Sequence, residues 1–192
     1  MVGRLIYLMG PSGSGKDTIL EGLCRMMAPH GHLATRLITR PETDTERGAI
    51  SVSEAEFLRL ERGGALAMAW RANGLAYGVP RDIDARLAAG SDVLVNGSRE
   101  YLPEARKRYP TLLPVLLTVE AETLRRRLVS RGRETQKQIR ERLDRNALYA
   151  GLTKSADANA IMVLDNSGDA EDAIQALYQY LCPYQTTTSS CS

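Results

Sequence analysis

The chain reads as an α/β protein with a parallel sheet covered by helices on both faces. Three observations predict this. A glycine-rich loop, Gly10-Pro11-Ser12-Gly13-Ser14-Gly15-Lys16-Asp17-Thr18, directly follows the apolar run Leu5-Ile6-Tyr7-Leu8-Met9. Continuous apolar runs recur along the chain, the pattern of strands buried on both faces. Stretches of helical period separate them, as crossover connections in a parallel sheet require.

The first strand is Leu5 to Met9, and further strands are expected at residues 34–38, 92–95, 112–119 and 160–164. Helices are expected at residues 17–28, 120–130, 136–150 and 169–181. In the first of these, Ile19, Leu20, Leu23, Met26 and Met27 recur at helical spacing. The segment from 39 to 80 breaks the rhythm. It opens with a short helix over 53–62, for which Ser53 is the N-cap and Glu56 stands three residues on. After Gly63-Gly64 come short extended pieces ending at Tyr77-Gly78-Val79-Pro80. This region is expected to cover an acceptor substrate. A second interruption, Arg131-Gly132-Arg133, separates two arginine-bearing helices and marks a mobile arginine lid over about 125–145. One domain over 1–185 and a disordered polar tail over 186–192 complete the organisation.

The glycine-rich loop is a phosphate-binding arrangement. Its small residues let successive backbone N–H groups turn around an anion, and the following helix directs its positive end at the same place. Lys16 supplies a charge that can follow the β- and γ-phosphates of a nucleotide. The whole segment Gly10, Pro11, Ser12, Gly13, Ser14, Gly15, Lys16, Asp17 and Thr18 is therefore the candidate nucleotide site. Asp17 stands where such loops carry the Ser or Thr that touches Mg²⁺, and Thr18 comes one residue late. Thr18, or Asp17 through a bound water, is the candidate metal partner; Asp17 reads equally as an acid favoured by the helix dipole. Asn166, after the last strand, either approaches the adenine or serves the turn Asp165-Asn166-Ser167-Gly168.

The formal net charge of +2 is too small for bulk nucleic-acid binding. Between Arg125 and Arg145, however, nine basic residues stand against three acidic ones. Alone, such a run is a solvated helical face; beside a phosphate loop it is a candidate clamp for polyphosphate. Cys24, Cys182 and Cys191 are odd in number and widely spaced, which argues against a disulfide framework or a zinc site and for a reducing compartment. No stretch has the length to cross a membrane and no secretory signal is read, so a cytoplasmic location is expected.

The motifs together resemble the guanylate kinase family over residues 3 to 181. The loop matches. Ile38-Thr39-Arg40-Pro41 resembles the family's Thr-Thr-Arg element, and Ser53 to Phe57 with Gly63-Gly64-Ala65-Leu66 resembles its Ser-x-x-x-Phe and Phe-Leu stretch. Tyr77-Gly78 is similar to its Tyr-Gly pair, and Arg131 and Arg142 to its lid arginines. The resemblance implies ATP as donor, Mg²⁺, a phosphorylated acceptor, and catalytic roles for Lys16, Arg131 and Arg142, with Arg127 and Arg133 as further lid candidates. Arg40, Tyr77, Arg71 and Arg81 are the candidates for acceptor phosphates.

The departures narrow the acceptor. Positions that read guanine in that family carry Met68 and Val79 here, and the acidic pair after the central strand is Asn96 and Ser98. The family's second phosphate arginine falls in Glu42-Thr43, and its acceptor tyrosine is lost in Ala49-Ile50-Ser51. Gly15-Lys16-Asp17-Thr18 and the stretch from Gly63 to Pro80 resemble the ribose 1,5-bisphosphate phosphokinase branch of phosphonate catabolism. That resemblance implies phosphorylation of a sugar bisphosphate to 5-phosphoribosyl 1-diphosphate. Two other readings remain at this point: a nucleoside monophosphate kinase of altered base preference, and a non-catalytic interaction module, which would not need Lys16 or the lid arginines. The sequence leaves the oligomeric state open, a homodimer included.

Overall fold

The computed structural model describes residues 2–40, 48–132, 135–152 and 161–182; of Arg131 and of 145–152 only the backbone is described. Pro41, Glu42-Thr43, Arg133, Cys191 and the tail 186–192 lie outside the described residues.

The central sheet contains β1 (Leu5–Met9), β2 (Gly31–Leu33), β7 (Asp92–Asn96), β8 (Leu113–Thr118) and β9 (Met162–Asp165), in the order β2-β7-β1-β8-β9. Every pairing in it is parallel. All five residues of β1 are buried, as a central parallel strand requires. Its side chains alternate between two cores. Ile6 and Leu8 meet Ile19, Leu20 and Leu23 of α1 (Lys16–Met26) and Ile174, Leu177 and Leu181 of α7 (Ala170–Leu181). Leu5, Tyr7 and Met9 face the other side, with Ile83 and Leu87 of α3 (Asp82–Ala88) and Leu102 and Ala105 of α4 (Leu102–Arg108). Arg4 clips β1 to β7: its backbone N–H donates to the Asp92 carboxylate at 2.7 Å, and its guanidinium pairs with the same group.

A second, smaller sheet has the order β4-β3-β6-β5: β3 (Arg36–Ile38), β4 (Ala49–Ser51), β5 (Leu66–Ala72) and β6 (Leu75–Pro80). Strands β5 and β6 form an antiparallel hairpin closed by Asn73-Gly74, both at positive φ (52° and 75°). This is the two-residue turn that Asn-Gly favours. Met68, Trp70 and Val79 of the hairpin pack into the core beneath the central sheet. Helix α2 (Glu54–Arg62) starts at Ser53, whose Oγ accepts from the Glu56 N–H at 3.1 Å, so the N-cap read from the sequence is present.

One expected strand is corrected. Residues 34–38 do not form a single strand of the main sheet. The chain pairs with β7 through Gly31–Leu33, and Ala34 N–H still reaches the Leu94 carbonyl at 2.9 Å. Beyond Thr35 it leaves for the small sheet, where Ile38 lies opposite Tyr77. His32 therefore sits in an edge strand. Helices α3 and α4 are further elements that the apolar pattern did not yield; both are only seven residues long. The arginine-rich segment forms α5 (Ala121–Arg131) and α6 (Gln136–Leu152). Among the described residues no helix is long and apolar enough to cross a membrane.

Tyr7 fixes the end of β7 relative to β1. Fully buried, its hydroxyl donates to the Ser98 carbonyl and accepts from the Ser98 N–H, both at 3.0 Å. Burial pushes this phenol well above its ordinary value, against the opposing effect of the Ser98 hydrogen bond, so it stays protonated and able to donate. Tyr7→Phe leaves both Ser98 groups without that partner. It is expected to cost about 1–2 kcal/mol and to lower the melting temperature by roughly 3–6 °C, measured by thermal denaturation. An unchanged melting temperature would show that the hydroxyl does not fix the loop.

Candidate active site

The loop between β1 and α1 takes the shape its glycines allow. Gly15 is the N-cap of α1 at φ 91°, a left-handed conformation, and no side chain caps the helix. The N–H groups of the first turn are thereby left to face a ligand. A Cβ at Gly15 would also sit 2.7 Å from the Asn166 amide nitrogen, so two independent constraints demand glycine there. Lys16 reaches back over the loop, its Nζ donating to the Gly10 and Pro11 carbonyls at 2.8 and 2.9 Å.

A cleft of about 640 Å³ opens above this loop, between the carboxyl ends of the central strands and the small sheet. Its loop side includes Gly10, Ser12, Gly13, Gly15, Lys16 and Asp17; its far side includes Arg36, Arg40, Trp70 and Tyr77. The segment after β7 closes one end with Asn96, Gly97, Ser98, Arg99 and Glu100, and α6 contributes Gln138 and Arg142. Five cationic side chains thus line it against two carboxylates, a composition suited to phosphate groups on both walls. Arg142 donates to Ser12 Oγ at 2.6 Å, which brings α6 onto the loop from a position 130 residues away in sequence. Asp17, in the first turn of α1, accepts from the Asn96 amide at 2.6 Å.

The candidates from sequence separate into two groups. Lys16, Asp17, Arg40, Tyr77 and Arg142 line one cleft, together with most of the loop. Others lie elsewhere. Arg71 is neighbour to Trp70 and Ala72 on β5, and those two face the cleft, so alternation turns Arg71 to the opposite face. There it pairs with Glu61 through bonds of 2.8 and 2.6 Å and lies over the Phe57 ring. Arg81 is exposed at the start of α3, donating to the Gly64 carbonyl and 3.6 Å from Asp84. Neither lines this cleft; Arg71 instead borders a second recess that Arg40 also lines. Thr18 is exposed one position beyond Asp17 and does not line the cleft, which leaves Asp17 facing it. Arg131 ends α5, and its side chain lies outside the described residues.

Asn166 is a brace beneath the loop. Only 2% exposed, its amide donates to the Ser14 carbonyl at 2.7 Å, while its own N–H donates to the Thr118 carbonyl. Arg127, a candidate for the lid, instead donates to the carbonyls of Asn166 and Gly168 and ties α5 to the end of β9. Two cleft cations escaped the sequence reading, Arg36 and Arg99. No motif marks either: Arg36 reaches the cleft only because β3 leaves the central sheet, and Arg99 only because the segment after β7 closes one end.

Asn166→Ala removes the donor that holds Ser14 and opens space beneath Gly15. The variant is expected to lose about 2 kcal/mol of stability and to raise KM for ATP more than KM for the acceptor. Thermal melts and steady-state kinetics with each substrate varied check this. A variant with native stability and unchanged KM for ATP would refute the bracing role.

The chain matches the model of a family described as an AAA domain over residues 6–147. A ribose 1,5-bisphosphate phosphokinase PhnN of Pseudomonas paraeruginosa is 51% identical over 182 residues, covering 94% of this chain and 96% of that protein. The protein of the same description in Pseudomonas fluorescens is 46% identical over 193 residues, covering all of both chains. That of Azotobacter vinelandii is 48% identical, covering 94% and 97%. The crystal structure of guanylate kinase from Anaplasma phagocytophilum superposes with a TM-score of 0.69 at 21% identity, covering 97% of this chain and 88% of that one. That likeness establishes a guanylate kinase-like fold. The extent and level of sequence identity place this chain in the ribose 1,5-bisphosphate phosphokinase PhnN family.

Proposed function

We propose that this protein transfers the γ-phosphoryl group of ATP to the 1-phosphate of ribose 1,5-bisphosphate, giving 5-phosphoribosyl 1-diphosphate and ADP, within phosphonate catabolism in the cytoplasm. The observation that carries this reading is a cleft with phosphate-handling groups on both walls, while the two positions that read guanine in the guanylate kinase family carry buried apolar side chains. Met68 and Val79, at those positions, are opposite each other across the hairpin and 1% exposed, packed as core. The names of the relatives support the same acceptor.

An oxygen of the acceptor's 1-phosphate, anionic at neutral pH, attacks the γ-phosphorus. The bond between that phosphorus and its bridge to the β-phosphate breaks, and ADP departs with the electron pair. Because the nucleophile is already charged, no strong general base is needed; catalysis consists of alignment and charge compensation. The loop N–H groups and Lys16 hold the donor phosphates. Arg40 and Tyr77 receive the acceptor phosphate on the opposite wall. Arg142 stabilises negative charge as it spreads over the transferring group, the role that the guanylate kinase resemblance also implies for Arg131.

A Mg²⁺ ion fits this donor set. Asp17 presents a carboxylate to the cleft, and the buried Asn96 Oδ1 has no hydrogen-bond partner among the described residues. Asp17 and Asn96 would hold the water ligands of such an ion, whose chemistry is to neutralise the β- and γ-phosphate oxygens.

Two experiments test the proposal. With ATP and Mg²⁺, kcat/KM for ribose 1,5-bisphosphate is expected to exceed that for GMP by about 10³-fold or more, since guanine's polar edge would find no partner. A preference for GMP would make this a divergent guanylate kinase. Lys16→Ala is expected to fold normally and to lose at least about 100-fold in kcat. Near-native turnover in that folded variant would remove the donor-site assignment.

A further inference from the structure

The acceptor proposed above carries two phosphates, and two of the arginines expected to bind them, Arg71 and Arg81, do not line the cleft. The cleft supplies other cations. Arg36 opens β3, whereas Arg40 lies just past its end, on the order of 10 Å further along the chain. Both line the cleft. Arg36 also borders a recess shared with Asp17, Glu21 and Asn96, the last residue of β7. The segment after β7 contributes Arg99, which is half-buried and lines the same cleft as Arg36.

Packing restrains Arg36. Its guanidinium lies 5.9 Å from the centre of the Tyr77 ring. Tyr77 in turn stacks on Trp70 at 5.5 Å with the rings 8° apart, and Trp70 stacks on Tyr101 at 5.5 Å. A guanidinium held against a stacked aromatic column is a pre-organised fork for a phosphate, and it loses little rotamer freedom on binding. A monophosphate acceptor engaging Arg40 would have no use for this second cationic end.

Resting on the function proposed above, we infer that Arg36, assisted by Arg99, forms the subsite for the acceptor's 5-phosphate and selects bisphosphates over acceptors with a single phosphate. Arg40 and Tyr77 then hold the 1-phosphate that is phosphorylated. The ribose spans the two ends over the Tyr77 and Trp70 edges.

The test compares wild type, Arg36→Gln and Arg36→Lys, with Arg99→Gln as a second, independent variant. Wild-type turnover of ribose 1,5-bisphosphate is measured first; its absence would overturn the proposed function and this subsite with it. Arg36→Gln is expected to raise KM for ribose 1,5-bisphosphate by about 30-fold, the loss of one charged hydrogen-bonding pair, with kcat at saturation falling much less. Ribose 5-phosphate, which carries only the distal phosphate, should weaken as a competitive inhibitor by a similar factor. Ribose 1-phosphate should weaken far less. Arg36→Lys should recover part of the loss, and Arg99→Gln should give the same split between inhibitors in smaller measure. If wild type turns over the bisphosphate but both inhibitors weaken equally in Arg36→Gln and in Arg99→Gln, or neither weakens, the subsite is refuted while the activity stands.

Discussion

The left-handed turn at Gly15 is the constraint on which the rest of the site depends. It starts α1 without a side-chain cap, so the first-turn N–H groups face the cleft. It also lets Asn166 approach close enough to hold the Ser14 carbonyl from below. The loop is consequently fixed from two sides, by β1 and α1 in sequence and by the end of β9 across the sheet. An anion site of this kind works because its dipoles are already oriented before the ligand arrives.

The acceptor wall has a different origin. The chain pairs with β7 for three residues and then crosses to a separate small sheet, so β3 and the hairpin β5–β6 stand opposite the loop. Met68, Trp70 and Val79 anchor that sheet in the core beneath β1 and β7. Tyr7 secures the segment after β7 through Ser98. The two walls thus share one hydrophobic core, which holds the donor and acceptor groups at a defined separation while α5 and α6 bring Arg142 to the loop.

Much of this was legible in the sequence for local reasons. The loop and α1 announce themselves because glycine spacing, an apolar strand and a helical stripe are contiguous. Ser53 as an N-cap needed only the Glu56 spacing. Two further signals are local as well. Asn73-Gly74 between apolar runs marks a hairpin, and adjacent residues on one strand cannot share a face, so Trp70 and Arg71 could not both line the cleft. The role of Asn166 was not legible, because its partner is 152 residues away. Arg36 was hidden for a related reason: periodicity cannot reveal that an apolar run divides between two sheets at Thr35.

The central claim is that the cleft orients a two-ended acceptor so that its 1-phosphate, and not its 5-phosphate, meets the donor. Phosphorus NMR of the reaction of ATP with ribose 1,5-bisphosphate tests this directly. A new diphosphate at the anomeric carbon beside an unaltered 5-phosphate monoester is expected. A diphosphate built on the 5-position, or ATP consumed with no diphosphate on the sugar, would contradict it.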